Sequence, residues 1–339
     1  MKTSKRFIVV LLRSMMITVA LISCAKKQND ATGANAKIKI GFLVKQPEEP
    51  WFQTEWKFAE QAAVNHGFAL LKIGAPDGEK TLAAIDNLAA NGAKGFVICA
   101  PDVHLGPAIK AKADGYGMKF MAVDDQFVGA DGTFMAEVHY LGLSPRKIGE
   151  TAGRKLYEEM QRRGWPDEGA AACASTFEEL DTAKQRTDGA IGALIAAGFP
   201  ADKIYKAPNK TTDIPGSFDA VNILLTQHPK VKRWLVIGMN DNAVLGAIRA
   251  TEGRGLDASN VIGIGINGTD CHTEFEKTAP TGFWGSILLS PKRHGYDTAT
   301  MVYKWVAEGL EPPLATRIEE GILITRENFR QVLKENGIL

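Results

Sequence analysis

Lys45, Glu49 and Trp51 fall within VKQPEEPW, directly after the apolar run IGFLV. An ammonium, a carboxylate and an indole so close together can hold a hydroxylated ligand. A hydroxyl both donates and accepts, so it pairs with an ammonium and a carboxylate together. An indole covers an apolar C–H face at little entropic cost. Similar residues follow later apolar runs: Cys99, then Asp124 and Asp125, then Asp181, Thr182 and Arg186, then Met239, Asn240 and Asp241, then Asn267 and Asp270. Charged hydrogen bonds to hydroxyls contribute about 1.5–3 kcal/mol each where water is excluded.

Each residue also has a plainer role. Trp51 suits a staple that ties its helix to the core. Glu48 stands where acids favour a helix N-terminus. Asp124 and Asp125 are neighbours in a strand and point to opposite faces, so at most one meets a ligand directly. Thr182 and Arg186 share a helix face. Asn240, Asp241, Thr269 and Asp270 are all suitable helix caps. Two other chemistries compete. Glu49 and Asp125 could flank a glycosidic bond as a hydrolase pair. GIGING (263–268) fits a dinucleotide fingerprint, but its glycines fall inside a strand and no acid lies near the expected position downstream.

The elements that must position these groups alternate. IKIGFLV (38–44) reads as a buried strand, followed by a helix from Trp51 to a stop at Gly67. FALLKIG (68–74), GFVICA (95–100) and KFMAVDD (119–125) are further strands, separated by helices over 81–92 and 105–115. A second series starts with the helix 147–163. It continues through AAACAS (170–175), a helix over 181–197, IYKAP, a helix over 215–228, RWLVIGM (233–239), a helix over 241–252 and VIGIGIN. Continuous apolar strands that alternate with helices indicate a parallel sheet covered on both faces. GFWGSILL (282–289), a helix over 291–309, a strand or pair over 315–325 and a helix over 326–336 complete both series. The expected fold is therefore α/β, two doubly wound parallel-sheet lobes joined by three hinge crossovers, near 143–147, 287–291 and 317–321. The lobes are expected at 37–143 plus 290–318 and at 144–289 plus 319–339. Ligands of such sheets bind beyond the carboxyl ends of the strands, which is where the polar residues fall.

The 339 residues suffice for two lobes, and 45% apolar with 23% charged residues is globular composition. A net charge of +1 gives no case for nucleic acid. The N-terminus reads as an export signal over 1–23, with a basic start and an apolar run that ends at LISC. Cys24 is then a lipidation site that anchors the chain to a membrane, and 24–36 is a flexible tether. Cleavage there removes four basic residues and no acid, and lowers the net charge to −3. Cys99, Cys173 and Cys271 form no disulfide framework, and the scattered histidines suggest no metal site.

Long stretches of the mature chain resemble the bacterial periplasmic sugar-binding proteins of ABC importers, in particular their L-arabinose-binding branch. The resemblance rests on GFLVKQPEEPWFQTEWKFA, PDGEKTLAAID, GAKGFVIC, AVDDQFV, ELDTA, GMND and VIGIGING. It implies a periplasmic binding protein of type I fold that closes on one aldopyranose by hinge motion. It implies a monomer that needs no cofactor or metal, works with a membrane permease and is not an enzyme. It implies direct contacts from Lys45, Glu49, Asp125, Arg186, Asn240 and Asn267, with Asp125 at the anomeric hydroxyl and Arg186 at the ring oxygen. Asp124, Thr182 and Gln46 would act behind them or through water. Trp51, Phe52, Cys99 and Met239 would form apolar walls, and Asp270 would steady Asn267 or Lys45. Leu143 and Leu289 replace the Met and Pro the resemblance leads one to expect. Both lie near the pocket side that meets the fifth ring carbon, so the choice among L-arabinose, D-galactose and D-fucose stays open. A carrier that serves only a chemoreceptor is a further alternative.

Overall fold

The computed structural model describes residues 37–166 and 169–339. The expected signal segment 1–23, the tether 24–36 and the lipidation site Cys24 lie outside the described residues. In chain order the elements are β1 (Lys39–Val44), α1 (Pro50–His66), β2 (Ala69–Gly74), α2 (Gly78–Ala90), β3 (Gly95–Cys99), α3 (Gly106–Gly115), β4 (Lys119–Asp124) and β5 (Tyr140–Leu143). Then follow α4 (Pro145–Arg162), β6 (Ala171–Thr176), α5 (Asp181–Ala196), β7 (Ile204–Pro208), α6 (Ile214–Gln227), β8 (Trp234–Gly238), α7 (Asp241–Glu252) and β9 (Val261–Asn267). The chain ends with α8 (His272–Glu276), β10 (Phe283–Leu288), α9 (Thr298–Glu308), β11 (Ala315–Ile318), β12 (Ile322–Thr325) and α10 (Phe329–Glu335).

Two six-stranded sheets result, ordered β2-β1-β3-β4-β5-β11 and β7-β6-β8-β9-β10-β12. The chain passes between them after β5, again after β10 and again after β11. Each sheet reverses its strand order beside its first strand, between β1 and β3 and between β6 and β8. That is where open α/β sheets form a ligand crevice.

Three elements differ from the sequence reading. The short strand β5 lies in a stretch to which the sequence reading assigned no element, because YLGL is too brief to show alternation. The second sheet is not wholly parallel, since β12 runs antiparallel to β10 at its edge. The expected helix over 291–309 also begins as a π-helical turn, Arg293–Asp297, before α9.

Local packing explains how the site residues are held. α1 opens with Pro50, whose missing N–H costs nothing there, and stops at Gly67 in a left-handed conformation (φ 76°). Its buried face carries Trp51, Phe52, Trp56, Phe58, Ala59, Ala62 and Ala63, with Glu55 among them. α4 packs closely on α5. A Cβ at Gly149 would overlap the Arg186 carbonyl, so this glycine sets the distance at which α5 presents Arg186.

Candidate functional site

Two non-glycine residues among those described have positive φ, Asp124 at 65° and Asn267 at 120°. Each is the last residue of its strand, β4 and β9, and both line the same cavity. Backbone strain of this kind concentrates at functional sites. The cavity, about 550 Å³ including its opening, is bounded by groups from both sheets. Lys45, Gln46, Glu49, Trp51, Phe52, Asp124 and Asp125 come from one. Leu180, Thr182, Ala183, Arg186, Thr212, Met239, Asn240 and Asn267 come from the other.

Asp125 is the centre of the polar network. Its Oδ2 accepts from Lys45 Nζ at 2.7 Å, and its Oδ1 accepts from Thr182 Oγ1 at 2.6 Å. The second bond joins the two lobes. Burial by itself would lower the Lys45 pKa, but the Asp125 charge outweighs it and holds the ammonium well above its usual value. Burial likewise opposes the Asp125 carboxylate, and Lys45, Thr182 and Arg186 together still hold its pKa below normal. Both groups are therefore charged at neutral pH, paired, and fixed before any ligand arrives.

Arg186 donates from Nη1 to the Met239 carbonyl at 3.0 Å and to Asn267 Oδ1 at 3.4 Å. Its Nε is buried without a hydrogen-bond partner. Burial lowers its pKa from the usual guanidinium value, against the pull of Asp125. Asn240 caps α7. Its Oδ1 accepts from Ala243 N at 2.8 Å, while its Nδ2 donates to the Thr212 carbonyl at 3.0 Å. One Nδ2 hydrogen and one Oδ1 lone pair remain for other partners. Glu49 stands at the N-cap of α1 and accepts from Gln46 Nε2 at 2.9 Å. Burial first, then the Asp270 charge, push its carboxyl up to about 7. Glu48, beside it, is exposed.

A buried cluster supports the first half of the cavity. Trp51 Nε1 donates to Asp124 Oδ2 at 3.2 Å, and the Trp51 ring meets His294 edge-on at 5.2 Å between centroids. His294 Nδ1 donates to the Ser290 carbonyl at 2.9 Å, which turns Nε2 toward Asp124 Oδ1 at 3.3 Å. Glu55 is fully buried beside them. Burial and the Asp124 charge raise its carboxyl pKa well above the usual range. A Cβ at Gly295 would overlap the Glu55 carbonyl, so the π-helical turn reaches α1 only because residue 295 has no side chain. Glu55, Asp124 and His294 bring three potential ligand atoms within 4.8 Å of one another, a grouping the scatter of histidines along the chain conceals. Both Glu55 carboxylate oxygens and His294 Nε2 are buried there without a hydrogen-bond partner.

Three expected site residues do not line the cavity. Cys99 is buried behind it, its Sγ 3.9 Å from Asp125 Oδ2, and so backs the carboxylate instead of forming a wall. Leu143 is a core residue at the end of β5. Asp270 lies behind Asn267 and takes a hydrogen bond from Thr269 Oγ1 at 3.1 Å. Asp241, read as a possible cap, is fully buried. Its Oδ2 accepts from Gly268 N at 2.9 Å and Asp270 N at 3.3 Å, and its Oδ1 accepts from Ser286 Oγ at 2.5 Å. It holds the turn that presents Asn267. Burial, then the Asp270 charge, raises its pKa. Glu55, which the sequence reading missed, and Asp241, which it placed only as a strand-end residue or cap, share one signal. Each is an acid at a position where the helix pattern calls for an apolar residue.

Comparison with known proteins agrees with this architecture. The chain is 58% identical over 301 residues to the L-arabinose-binding periplasmic protein of Escherichia coli (strain K12), which covers 89% of this chain and 92% of that protein. It is 50% identical over 309 residues to the ABC transporter L-arabinose-binding periplasmic protein of Azospirillum brasilense, covering 91% and 92%. Among solved structures it resembles an ABC transporter periplasmic solute binding protein from Actinobacillus succinogenes 130z with bound D-allose. That match has TM-score 0.73 and 20% identity, and covers 87% of this chain and 100% of the other. A carbohydrate transporter solute binding protein from Agrobacterium radiobacter in complex with D-arabinose matches at TM-score 0.71 and 18% identity, covering 90% and 100%. At such identities these structures speak to the fold alone. The family of periplasmic binding proteins and the sugar binding domain of the LacI family matches residues 37–332, and the chain belongs to it.

Proposed function

We propose that this chain is the extracytoplasmic sugar-binding component of an ABC importer, a monomer that closes its two lobes on L-arabinose or a related aldopyranose and catalyses no reaction. The observation that carries the reading is the cavity's inventory. A fixed Lys45–Asp125 pair, Arg186, two amides and Glu49 converge from both lobes on one space beside Trp51. These are hydroxyl-pairing groups around an aromatic face. The names of the two relatives with half or more identical residues support the choice of sugar. Lys45, Glu49, Asp125, Arg186, Asn240 and Asn267 are the direct contacts in this reading, with Trp51, Phe52 and Met239 as apolar walls. The lobes are 37–143 with 290–318 and 144–289 with 319–339, hinged where the chain passes between the sheets. Anchoring through a lipid on Cys24 rests on LISC alone. Labelled palmitate retained by Cys24→Ser would exclude it.

Calorimetry with a panel of pentoses and hexoses tests the function. L-Arabinose or D-galactose binds, and Arg186→Ala weakens that binding by about 2–5 kcal/mol, with the melting temperature nearly unchanged. Heat from none of the sugars would refute the assignment.

A further inference from the structure

We propose that Glu55, Asp124 and His294 form a site for one divalent transition-metal ion of the zinc class, behind the cavity wall made by Trp51 and Asp124. The three side chains come from α1, the end of β4 and the π-helical turn before α9. One ligand atom from each lies within 4.8 Å of the other two. Glu55 and His294 are both fully buried. Yet both Glu55 oxygens and His294 Nε2 lack a hydrogen-bond partner. Buried polar atoms are nearly always paired, so three orphans gathered at one point call for a ligand between them.

The donor set and its supports select the ion. A metal-binding imidazole typically donates its other ring N–H to a carbonyl or carboxylate, which fixes the tautomer. His294 has that arrangement. Nδ1 donates to the Ser290 carbonyl at 2.9 Å, and Nε2 faces Asp124 Oδ1 at 3.3 Å without hydrogen-bond geometry. In a four-coordinate zinc site, bonds of about 2.0–2.2 Å set neighbouring ligand atoms roughly 3.3 Å apart. Asp124 is supported in the same way, since Trp51 Nε1 holds Oδ2 at 3.2 Å and leaves Oδ1 to the cluster. The charges balance, two carboxylates against a divalent ion. Burial and the Asp124 charge disfavour the Glu55 carboxylate, and a cation between the two acids offsets both effects. Calcium takes six to eight oxygens and does not suit this set. One imidazole with two carboxylates suits zinc and its first-row neighbours. Asp124 also lines the cavity, which gives an ion a path in from solvent. Once bound, the ion clamps Asp124 and, through it, the Trp51 indole.

The test uses the purified protein, freed of metal with a chelator and kept free of sugar, so its outcome is independent of the proposed function. Zn²⁺ binds one-to-one in calorimetry and raises the melting temperature. Co²⁺ takes the same place and gives the intense visible absorption of a four-coordinate ion. His294→Gln and Glu55→Gln each weaken both ions by more than the roughly 10–100-fold lost with an outer-shell partner. Thermal melts of the metal-free variants confirm that they fold, and Glu55→Gln, which keeps the side chain's shape, decides alone if His294→Gln does not. A protein that shows no such Co²⁺ absorption overturns the proposal. So does one-to-one Zn²⁺ binding that Glu55→Gln leaves unchanged, which would assign the ion to a surface pair such as His104 with Asp102.

Discussion

Asp124 and Asn267 occupy equivalent places in the two lobes. Each ends the fourth strand of the shared order, each has positive φ, and each faces the cavity. Their surroundings differ. Asp124 is oriented by ionisable and aromatic side chains: Trp51, His294 and Glu55. Asn267 meets Arg186, which is itself tied to a backbone carbonyl, and its turn hangs on Asp241 through backbone N–H groups. The first lobe therefore fixes its half of the site with charges that depend on one another. The second lobe fixes its half with backbone and helix caps. Changes in the first half should propagate through the charge network, and changes in the second should stay local.

The largest effect is expected at Asp125. Asp125→Ala leaves Lys45 charged in a largely buried place, its side chain only 18% exposed. Breaking a buried pair from one side costs about 3–5 kcal/mol. Replacing both partners, Lys45→Met with Asp125→Leu, should recover most of that stability and none of the binding. Urea denaturation of the single and double variants measures this. A double variant as unstable as Asp125→Ala would show that the pair is not the unit that matters.

Paired glycine substitutions examine the comparison directly. Asp124→Gly removes the acceptor of Trp51 Nε1, and an unsatisfied buried donor costs about 1–3 kcal/mol. Aspartate tolerates the left-handed conformation near 65°, so little strain is released. Asn267, at 120°, is far from the usual left-handed well. Asn267→Gly should leave stability unchanged or raise it by about 1 kcal/mol, while sugar affinity falls. Equal loss of stability in both variants would end the proposed asymmetry.

Much of this was legible in the chain, for identifiable reasons. Strand ends mark where ligands bind in α/β sheets, so Lys45, Asp125, Arg186, Asn240 and Asn267 could be placed together before any geometry. What lay behind them could not. Glu55 and Asp241 stand on the apolar stripes of their helices, but only tertiary packing shows what each one supports. His294 is over 160 positions from Asp124 in sequence, and no local pattern joins them. Asn240 had two readings, cap and contact. The structure makes it a cap and leaves part of its hydrogen-bonding capacity free. β5 was missed because four apolar residues carry no periodicity.

The smallest effect, and the one most specific to the charged half, concerns pH. Glu49 rises from the usual 4.5 to about 7, through burial and the charge of Asp270, with Lys45 opposing and Glu48 and Asp213 adding slightly. A folded pKa above the unfolded one means that the folded protein holds the proton longer. Stability from this group is therefore greatest below about 4.5 and declines as pH rises toward about 7. Sugar binding should have the opposite sign. A hydroxyl donates to the carboxylate, so affinity increases as pH passes upward through about 7 and then levels. Below that point the loss approaches about tenfold per pH unit for one linked proton. Glu49→Gln cannot titrate and should flatten both curves between pH 5.5 and 8.5, as read by calorimetry and thermal melts. If the pH dependence of binding persists in Glu49→Gln, the titrating group lies elsewhere. Asp241 and Asp270, both raised by burial in the other lobe, would then be the groups to substitute. That outcome would move the pH response from the half of the site built on charges to the half built on backbone.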